Sequence, residues 1–342
     1  MPKIDLMGLF NDQYPGSPEN LEQRSFYFEQ SPEVYFVDSN GKIVDAYDFL
    51  PRIDLTIKEQ ELLAVQPEPK LNEPQVLVKE VMYEDGKIFL QACKCDYKFL
   101  AAYSSGKIFP KDSPIYEQTF FKTGSIAILI TSDDKTVIVE RNDAWKLFSS
   151  FSGFLKPQTI QEENVAITTA IEEAQEEFLQ YTSIKFKHAE IGSLSFRKGN
   201  ITGKFGTAEF LVKLRVDCTA DKLMQALDEN LTRAKKPDGK PDHTGRYKLI
   251  DPKNISQEVF EITEEDTSIK KIRDISFFLV DPIVMTTCKF LGVEIPQFMQ
   301  RQSLNDIIES RQTNENQEES WCAYIQRRAL ECFDRSKGYK EL

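Results

Sequence analysis

The sequence contains few histidines, and few of its cysteines lie close together along the chain. Two histidines, His188 and His243, occur in 342 residues. The six cysteines are scattered except for Cys93 and Cys95, which are neighbours on one predicted strand and are poorly placed to share a tetrahedral metal ion. A structural zinc site is therefore not expected, and we predict reduced thiols in a cytoplasmic compartment.

Long apolar runs and an excess of positive charge are also missing. No window approaches about 18 uncharged apolar residues, and the start of the chain has no signal-peptide pattern, so no membrane contact is predicted. Fifty-five acidic against 43 basic residues give a net charge of −12 and a pI near 5.0. This balance argues against general binding to nucleic acid or to an anionic membrane surface.

Hydrophobic residues make up 40% of the chain and include 24 phenylalanines, enough to form a sizeable core. At roughly 100–200 residues per domain, the length suggests two folded units. Strand patterns, turns and a proline-rich linker predict a mostly β unit at residues 1–118. A mixed α/β domain is predicted at 119–285 and a helical C-terminal extension at 286–342.

The central domain alternates strand and helix patterns. Two apolar strands flank Asp133-Asp134, and a glycine-containing loop, an acidic helix and strands over 184–196 and 206–216 follow. This order predicts an α/β (α+β) fold built on a mixed sheet.

The stretch "AIEEAQEEF", residues 170–178, places four glutamates in nine residues. Like charges three or four positions apart on a helix repel each other, and no lysine or arginine occurs between Thr159 and Tyr181 to neutralise them. The apolar positions fall on one stripe at about 100° per residue, as a core-facing helix requires. They are Ile167, Ala170, Ile171, Ala174 and Phe178.

Glu173, Glu176 and Glu177 fall on an arc of roughly 100° beside that stripe, where their spacing brings the carboxylates within reach of one another. Hard oxygen ligands of this kind suit Mg²⁺ or Mn²⁺, which also bind substrate phosphates. The alternative is an exposed acidic face that binds no ligand, and the helix alone does not decide between the two.

This arrangement resembles the Nudix family, whose signature opens with a glycine and ends in Arg-Glu-apolar-x-Glu-Glu-x-Gly. "EEAQEEFLQ" places Glu173, Glu176 and Glu177 at the signature glutamates, and Gly153 corresponds to the opening glycine. The resemblance covers about residues 120–280.

The Nudix resemblance implies a mixed sheet sandwiched by helices. It also implies a metal-dependent pyrophosphohydrolase that cleaves a nucleoside diphosphate linked to another group. In that family the three matched glutamates bind the metal, so Mg²⁺ or Mn²⁺ is the implied cofactor.

The sequence departs from the signature in several places. The signature arginine, which orients the glutamates through an ion pair, is Glu172 here, and the later glycine is Leu179. The loop is longer by about five residues, and Asn164 occupies the place of the first signature glutamate, for which Glu162 or Glu163 could substitute. These departures support an alternative, a catalytically weak or inactive Nudix-fold module that binds a nucleotide or a protein.

Further residues are candidates for the substrate. The basic segment 232–248 is predicted to be a loop over the phosphates, with Lys236 and Arg246, together with Gly153, in the substrate-binding site. Its alternative is a solvated loop. Glu209 is a candidate base, with an exposed strand carboxylate as the alternative. A homodimer is compatible with these features.

Overall fold

The computed structural model describes residues 4–6, 23–28, 30–69, 72–105, 108–109, 112–118, 120–142, 148–155, 164–198, 205–236 and 238–250. The predicted helical extension at 286–342 lies outside these described residues. No helix within the described ranges is long and apolar enough to cross a membrane.

The described residues form twelve strands. They are β1 Ile4–Asp5, β2 Gln23–Tyr27, β3 Glu33–Val37, β4 Pro74–Glu84, β5 Lys87–Asp96, β6 Phe120–Ile130, β7 Thr136–Arg141, β8 Phe148–Ser149, β9 Phe151–Phe154, β10 Phe186–Lys198, β11 Phe205–Val216 and β12 His243–Ile250. The α-helices of the same ranges are α1 Ile57–Ala64, α2 Tyr97–Ser105, α3 Val165–Glu177 and α4 Ala220–Asn230. Short 3-10 turns occur at Tyr47–Phe49, Pro114–Glu117 and Leu179–Tyr181.

All twelve strands belong to one mixed sheet. Its main path runs β2-β10-β11-β6-β4-β5-β3, while β1 pairs with β4, β9 pairs with β6, and β7 pairs with β6, β8 and β12. β11 runs parallel to β6 and β3 runs parallel to β5, whereas the other pairs are antiparallel. The predicted α/β class with a mixed sheet is confirmed.

Both faces of the sheet are covered, as β6 shows most directly. Successive side chains of a strand point to opposite faces, and Phe120 and Phe121 accordingly belong to two different hydrophobic clusters. The cluster of Phe121 includes Ala170 of α3, and the cluster of Phe120 includes Tyr103 of α2. Helices therefore pack on both sides, as predicted.

The predicted domain boundary at residues 118 and 119 falls between strands of this one sheet. β4 pairs with β6 where Leu77 lies opposite Lys122 and Val78 opposite Phe121, and β2 pairs with β10. Strands on both sides of the boundary thus share backbone hydrogen bonds. The division into separate domains stays a prediction.

Local turn chemistry sets the register of the β4–β5 hairpin. Asp85 and Gly86 have φ angles of 48° and 78°, in the left-handed region that glycine adopts without steric cost. The antiparallel pairing of Glu84 with Lys87 follows directly. An Asp-Gly pair between two strand patterns predicts a hairpin, and the structure has the hairpin at Asp85-Gly86.

α1 is fixed to the rest of the chain through the buried carboxylate of Glu59. Thr56 and Glu59 form a reciprocal capping box at the helix start. The same carboxylate accepts hydrogen bonds from the Ser113 hydroxyl and from the backbone N–H of Ile115, the latter at 3.1 Å. Burial alone would raise the pKa of Glu59, but the hydrogen bonds from Ser113, Thr56 and Ile115 outweigh it and hold the pKa below its ordinary value.

We expect Glu59→Gln to lower the free energy of unfolding by about 1–3 kcal/mol at pH 7, because charge-assisted hydrogen bonds to a buried group are lost. The folded-state pKa lies below the unfolded one, so this stabilisation is present above pH ~4.5 and is lost as the pH falls through the folded value. Urea unfolding of wild type and variant should therefore converge toward low pH. Glu61→Gln, on the exposed face of the same helix, is the control and should have little effect. A difference for Glu59→Gln that is equal at pH 3 and pH 7 would contradict this assignment.

Candidate functional site

The start of α3 is anchored to another part of the sheet. The side chain of Asn164 caps the helix by accepting a hydrogen bond from the backbone N–H of Ile167 at 3.4 Å. Its amide nitrogen donates to the carbonyl of Pro32, next to β3, at 3.0 Å. Asn164, which stands in place of the first signature glutamate, therefore acts as a helix cap. The suggested substitutes Glu162 and Glu163 lie outside the described residues.

α3 packs on β6 and β9 with a face that combines small side chains and carboxylates. Its buried residues are Val165, Ala166, Thr169, Ala170, Glu173, Ala174 and Glu177. Glu173 and Glu177, four positions apart, continue the line of the alanines and are 8% and 9% exposed. Glu176 is exposed, so the structure brings two of the three predicted metal ligands onto the inner face and leaves the third at its rim.

Gly153 on β9 makes room for the carboxylate of Glu173. A Cβ added to Gly153 would lie 2.1 Å from Cδ of Glu173 and 2.2 and 2.5 Å from its two oxygens. The φ angle of Gly153 is outside the left-handed region, so the position requires glycine for space and not for backbone conformation. The glycine that corresponds to the start of the signature therefore lies directly against the acidic helix.

Glu177 is held by a histidine from a distant part of the chain. Nε2 of His243, on β12, lies 2.9 Å from Oε2 of Glu177, and the histidine is only 1% exposed. The imidazole stands edge-on to Phe151, with ring centroids 5.6 Å apart, and Phe151 stacks on Phe178 at the end of α3. Aromatic packing on one side and a hydrogen bond on the other thus fix the ring.

Charged groups of both signs lie around Glu177. Burial and then the negative charge of Glu177 raise the pKa of Asp242, whereas the positive charges of Lys236 and Arg141 act in the opposite direction. Lys236 is half-buried and donates from Nζ to the backbone carbonyl of Asn142 at 2.6 Å. The structure therefore places Lys236 within electrostatic reach of Asp242, the residue next to His243.

Arg246 is paired with a carboxylate of the neighbouring strand. Its Nη1 lies 2.9 Å from Oε1 of the buried Glu140 on β7, and the hydroxyl of Thr244 donates to Oε2 of the same carboxylate at 2.5 Å. The Arg246 side chain is 60% exposed. Its strand, β12, pairs with β7, which in turn pairs with β8.

Glu209 is not brought to the glutamates of α3. Its neighbours on β11, Ala208 and Phe210, belong to the hydrophobic cluster that contains α3. Because side chains alternate along a strand, Glu209 faces the opposite side of the sheet. Glu209 is paired with Gly124 of β6, which shares a face with Phe120, the residue that packs in the other hydrophobic cluster. Glu209 is therefore unsuited to act as a base at this site.

The carboxylates fit a metal ion only together with other ligands. Within the part of the chain that the structure describes, no group of three or more His, Cys, Asp or Glu side chains is gathered closely enough to hold a metal. Two buried carboxylates suit Mg²⁺ or Mn²⁺ in the manner in which Mg²⁺ binds one or two protein carboxylates and completes its shell with waters and substrate phosphates. They do not form an all-protein cage.

The sequence pattern predicts a loop over 232–248 and assigns His243 no role apart from that loop. In the structure its last part, beginning at His243, is β12, which pairs antiparallel with β7. The edge of β7 offers backbone hydrogen bonds, and this tertiary contact overrides the polar composition of the segment. The alternation of Tyr247 and Leu249 with polar residues was the available signal for a strand.

Comparisons with known proteins identify distant structural neighbours. No protein-family model and no curated protein matches the chain. Among solved structures, a Nudix hydrolase from Nitrosomonas europaea is 17% identical, with 52% of this chain and 93% of that chain covered and a TM-score of 0.28. An Ap4A hydrolase from C. elegans, solved as a binary complex, is 12% identical, with 50% and 96% covered and a TM-score of 0.25. Scores this low show a similarity to such proteins without establishing membership of a family.

We expect Gly153→Ala to destabilise the protein by about 1–3 kcal/mol, because the new methyl group overlaps the Glu173 carboxylate. In a Glu173→Ala background the overlap is removed. There the same substitution should be neutral or stabilising by about 0.4–1 kcal/mol, because alanine has less freedom than glycine in the unfolded chain. Urea unfolding of the four proteins in this double-mutant cycle measures the coupling.

Ser152→Ala, on the neighbouring residue of β9, is the control and should have the same effect in both backgrounds. An equal loss from Gly153→Ala with and without the Glu173 carboxylate would show that the two residues are not coupled.

Proposed function

We propose that the chain is a Nudix-type pyrophosphohydrolase that cleaves a nucleoside diphosphate linked to another group, with Mg²⁺ or Mn²⁺ as cofactor. The observation that carries the proposal is the pair of buried carboxylates, Glu173 and Glu177, on one face of α3. Burying two like charges on one helix costs stability, and functional sites are where folded proteins commonly bear such a cost. The sequence resemblance to the Nudix signature supports the same assignment.

Glu173 and Glu177 would hold the metal, with Glu176 reaching it from the rim. The bound cation would supply a water of lowered pKa and neutralise charge on the diphosphate. Because the described residues offer fewer than three clustered ligands, waters and phosphate oxygens would complete its shell. We therefore expect weak metal affinity without substrate and stronger affinity with it.

The basic residues would bind the phosphates. Lys236, whose charge acts on Asp242 beside His243, would offset negative charge that develops on the leaving phosphate. Arg246, at the surface on Glu140, would contact the outer part of the substrate. Gly153 would serve by leaving room for the Glu173 carboxylate.

A second candidate function is a nucleotide-binding module with little or no turnover. The hydrogen bond from His243 occupies one oxygen of Glu177, and Glu176 is exposed. Both observations leave fewer carboxylate oxygens for a metal than three inward-facing glutamates would provide. Such a module would bind the same nucleoside diphosphate without cleaving it.

We expect wild type to release a monophosphate from at least one compound in a panel of dinucleotides, ADP-ribose-like compounds and nucleotide sugars, with Mg²⁺ or Mn²⁺ but not with EDTA. Glu173→Gln and Glu177→Gln should lower kcat by about 100-fold or more, because several kcal/mol of charge stabilisation is lost. Glu176→Gln should also lower it. Glu172→Gln, a half-buried neighbour on the same helix, is the control and should stay near wild type.

Turnover that is unchanged in Glu173→Gln and Glu177→Gln would reject this site. Calorimetry distinguishes the second function, since nucleotide binding without release of phosphate by wild type would identify a binding module.

A further inference from the structure

We infer that His243 is a positioning residue for Glu177: its imidazole on β12 holds the carboxylate in place through Nε2. The inference deepens the proposed function and rests on it. It concerns a residue that lies 66 positions away from Glu177 in sequence and reaches α3 only through the fold.

The contact has the features of a directed hydrogen bond. The Nε2 to Oε2 distance is 2.9 Å, and both residues are buried, with 1% of His243 and 9% of Glu177 exposed. A carboxylate oxygen accepts hydrogen bonds, so the contact requires a form of the imidazole in which Nε2 bears a hydrogen. Charge-assisted hydrogen bonds of this kind are stronger than neutral ones, and burial strengthens them further.

The histidine is itself fixed by its surroundings. Phe151 contacts the ring edge-on, and the carbonyl of the preceding residue, Asp242, accepts a hydrogen bond from the backbone N–H of Asn142 at 2.7 Å. A donor that cannot move gives Glu177 one preferred position. This matters on α3, where no lysine or arginine is present to hold the carboxylates against their mutual repulsion.

The other ring nitrogen argues against a purely structural role. Nδ1 of His243 is buried and has no hydrogen-bond partner among the described residues. A buried polar atom without a partner costs stability, and a leucine or phenylalanine would fill this apolar position without that cost. Within the described structure the imidazole makes one hydrogen bond, to Glu177, so Glu177 is the group that the ring can position.

Two amide variants test the inference. The amide of His243→Gln reaches about as far as Nε2 and can still donate to Glu177, whereas the amide of His243→Asn reaches only about as far as Nδ1. Both are polar and remove the ring, so both lose the contact with Phe151. We expect the Gln variant to stay within about 3-fold of wild type, and the Asn variant to lose about 10- to 100-fold in kcat and in Mn²⁺ affinity, as for other residues that orient metal ligands. The KM for substrate at saturating metal should change little.

Mn²⁺ affinity is measured without substrate, by electron paramagnetic resonance of free Mn²⁺ in a titration extended to high concentration. His188→Gln and His188→Asn are the matched controls, because His188 is exposed on β10, and both should behave as wild type. Urea unfolding of all variants shows whether each protein is folded. If the Gln and Asn variants have the same free energy of unfolding, a difference between them in kcat and Mn²⁺ affinity is due to the position of Glu177 and not to a loss of packing.

The outcomes separate the two proposals. If wild type hydrolyses a nucleoside diphosphate compound and the Gln and Asn variants are equal to each other, His243 does not position Glu177, while the hydrolase assignment stands. If wild type shows no turnover but Mn²⁺ affinity is retained in the Gln variant and lost in the Asn variant, positioning is supported and the hydrolase assignment fails. If wild type takes up no Mn²⁺ and shows no turnover, both are overturned.

Discussion

The site depends on how closely α3 approaches the sheet. The carboxylate of Glu173 lies where a side chain at position 153 would begin, so any residue other than glycine would force that carboxylate to move. Alanines at 170 and 174 let the helix come this close, and the same face that buries them also buries Glu173 and Glu177. A helix that packs through small residues therefore places its acidic residues against the strands and away from bulk water, at a considerable desolvation cost.

The sheet supplies what the helix lacks. β6 is the common support, because it pairs with β4, β9 and β11 and separates two hydrophobic clusters on its two faces. β9 contributes the glycine, and β12, added at the edge of β7, contributes His243. The N-terminal strands belong to the same hydrogen-bonded sheet. They therefore support the geometry of the site, although the residues that contact Glu173 and Glu177 here come from β9 and β12.

Local patterns in the sequence predicted much of this arrangement. The 3.6-residue period identified α3 and its acidic arc, and Asp85-Gly86 identified a hairpin, because both signals depend on neighbouring residues. The same reasoning failed where the deciding contact is distant. His243 lies in a polar segment that becomes a strand only beside β7, and the face of Glu209 is set by its register against β6. The capping role of Asn164 depended on where the helix begins, which periodicity does not fix to one residue.

The charge balance explains why these distant contacts matter for function. At position 172 the chain has a glutamate, so α3 adds negative charge where a basic residue would remove it. The groups that act on the acidic residues come from elsewhere in the fold: Arg141 on β7, Lys236 in the segment before β12, and His243 on β12, whose Nε2 lies within hydrogen-bond distance of Glu177. At Asp242, burial and then the charge of Glu177 raise the pKa of the carboxyl, and Lys236 and Arg141 act in the opposite direction. The electrostatic surroundings of the two buried glutamates are therefore set by the sheet more than by the helix that bears them.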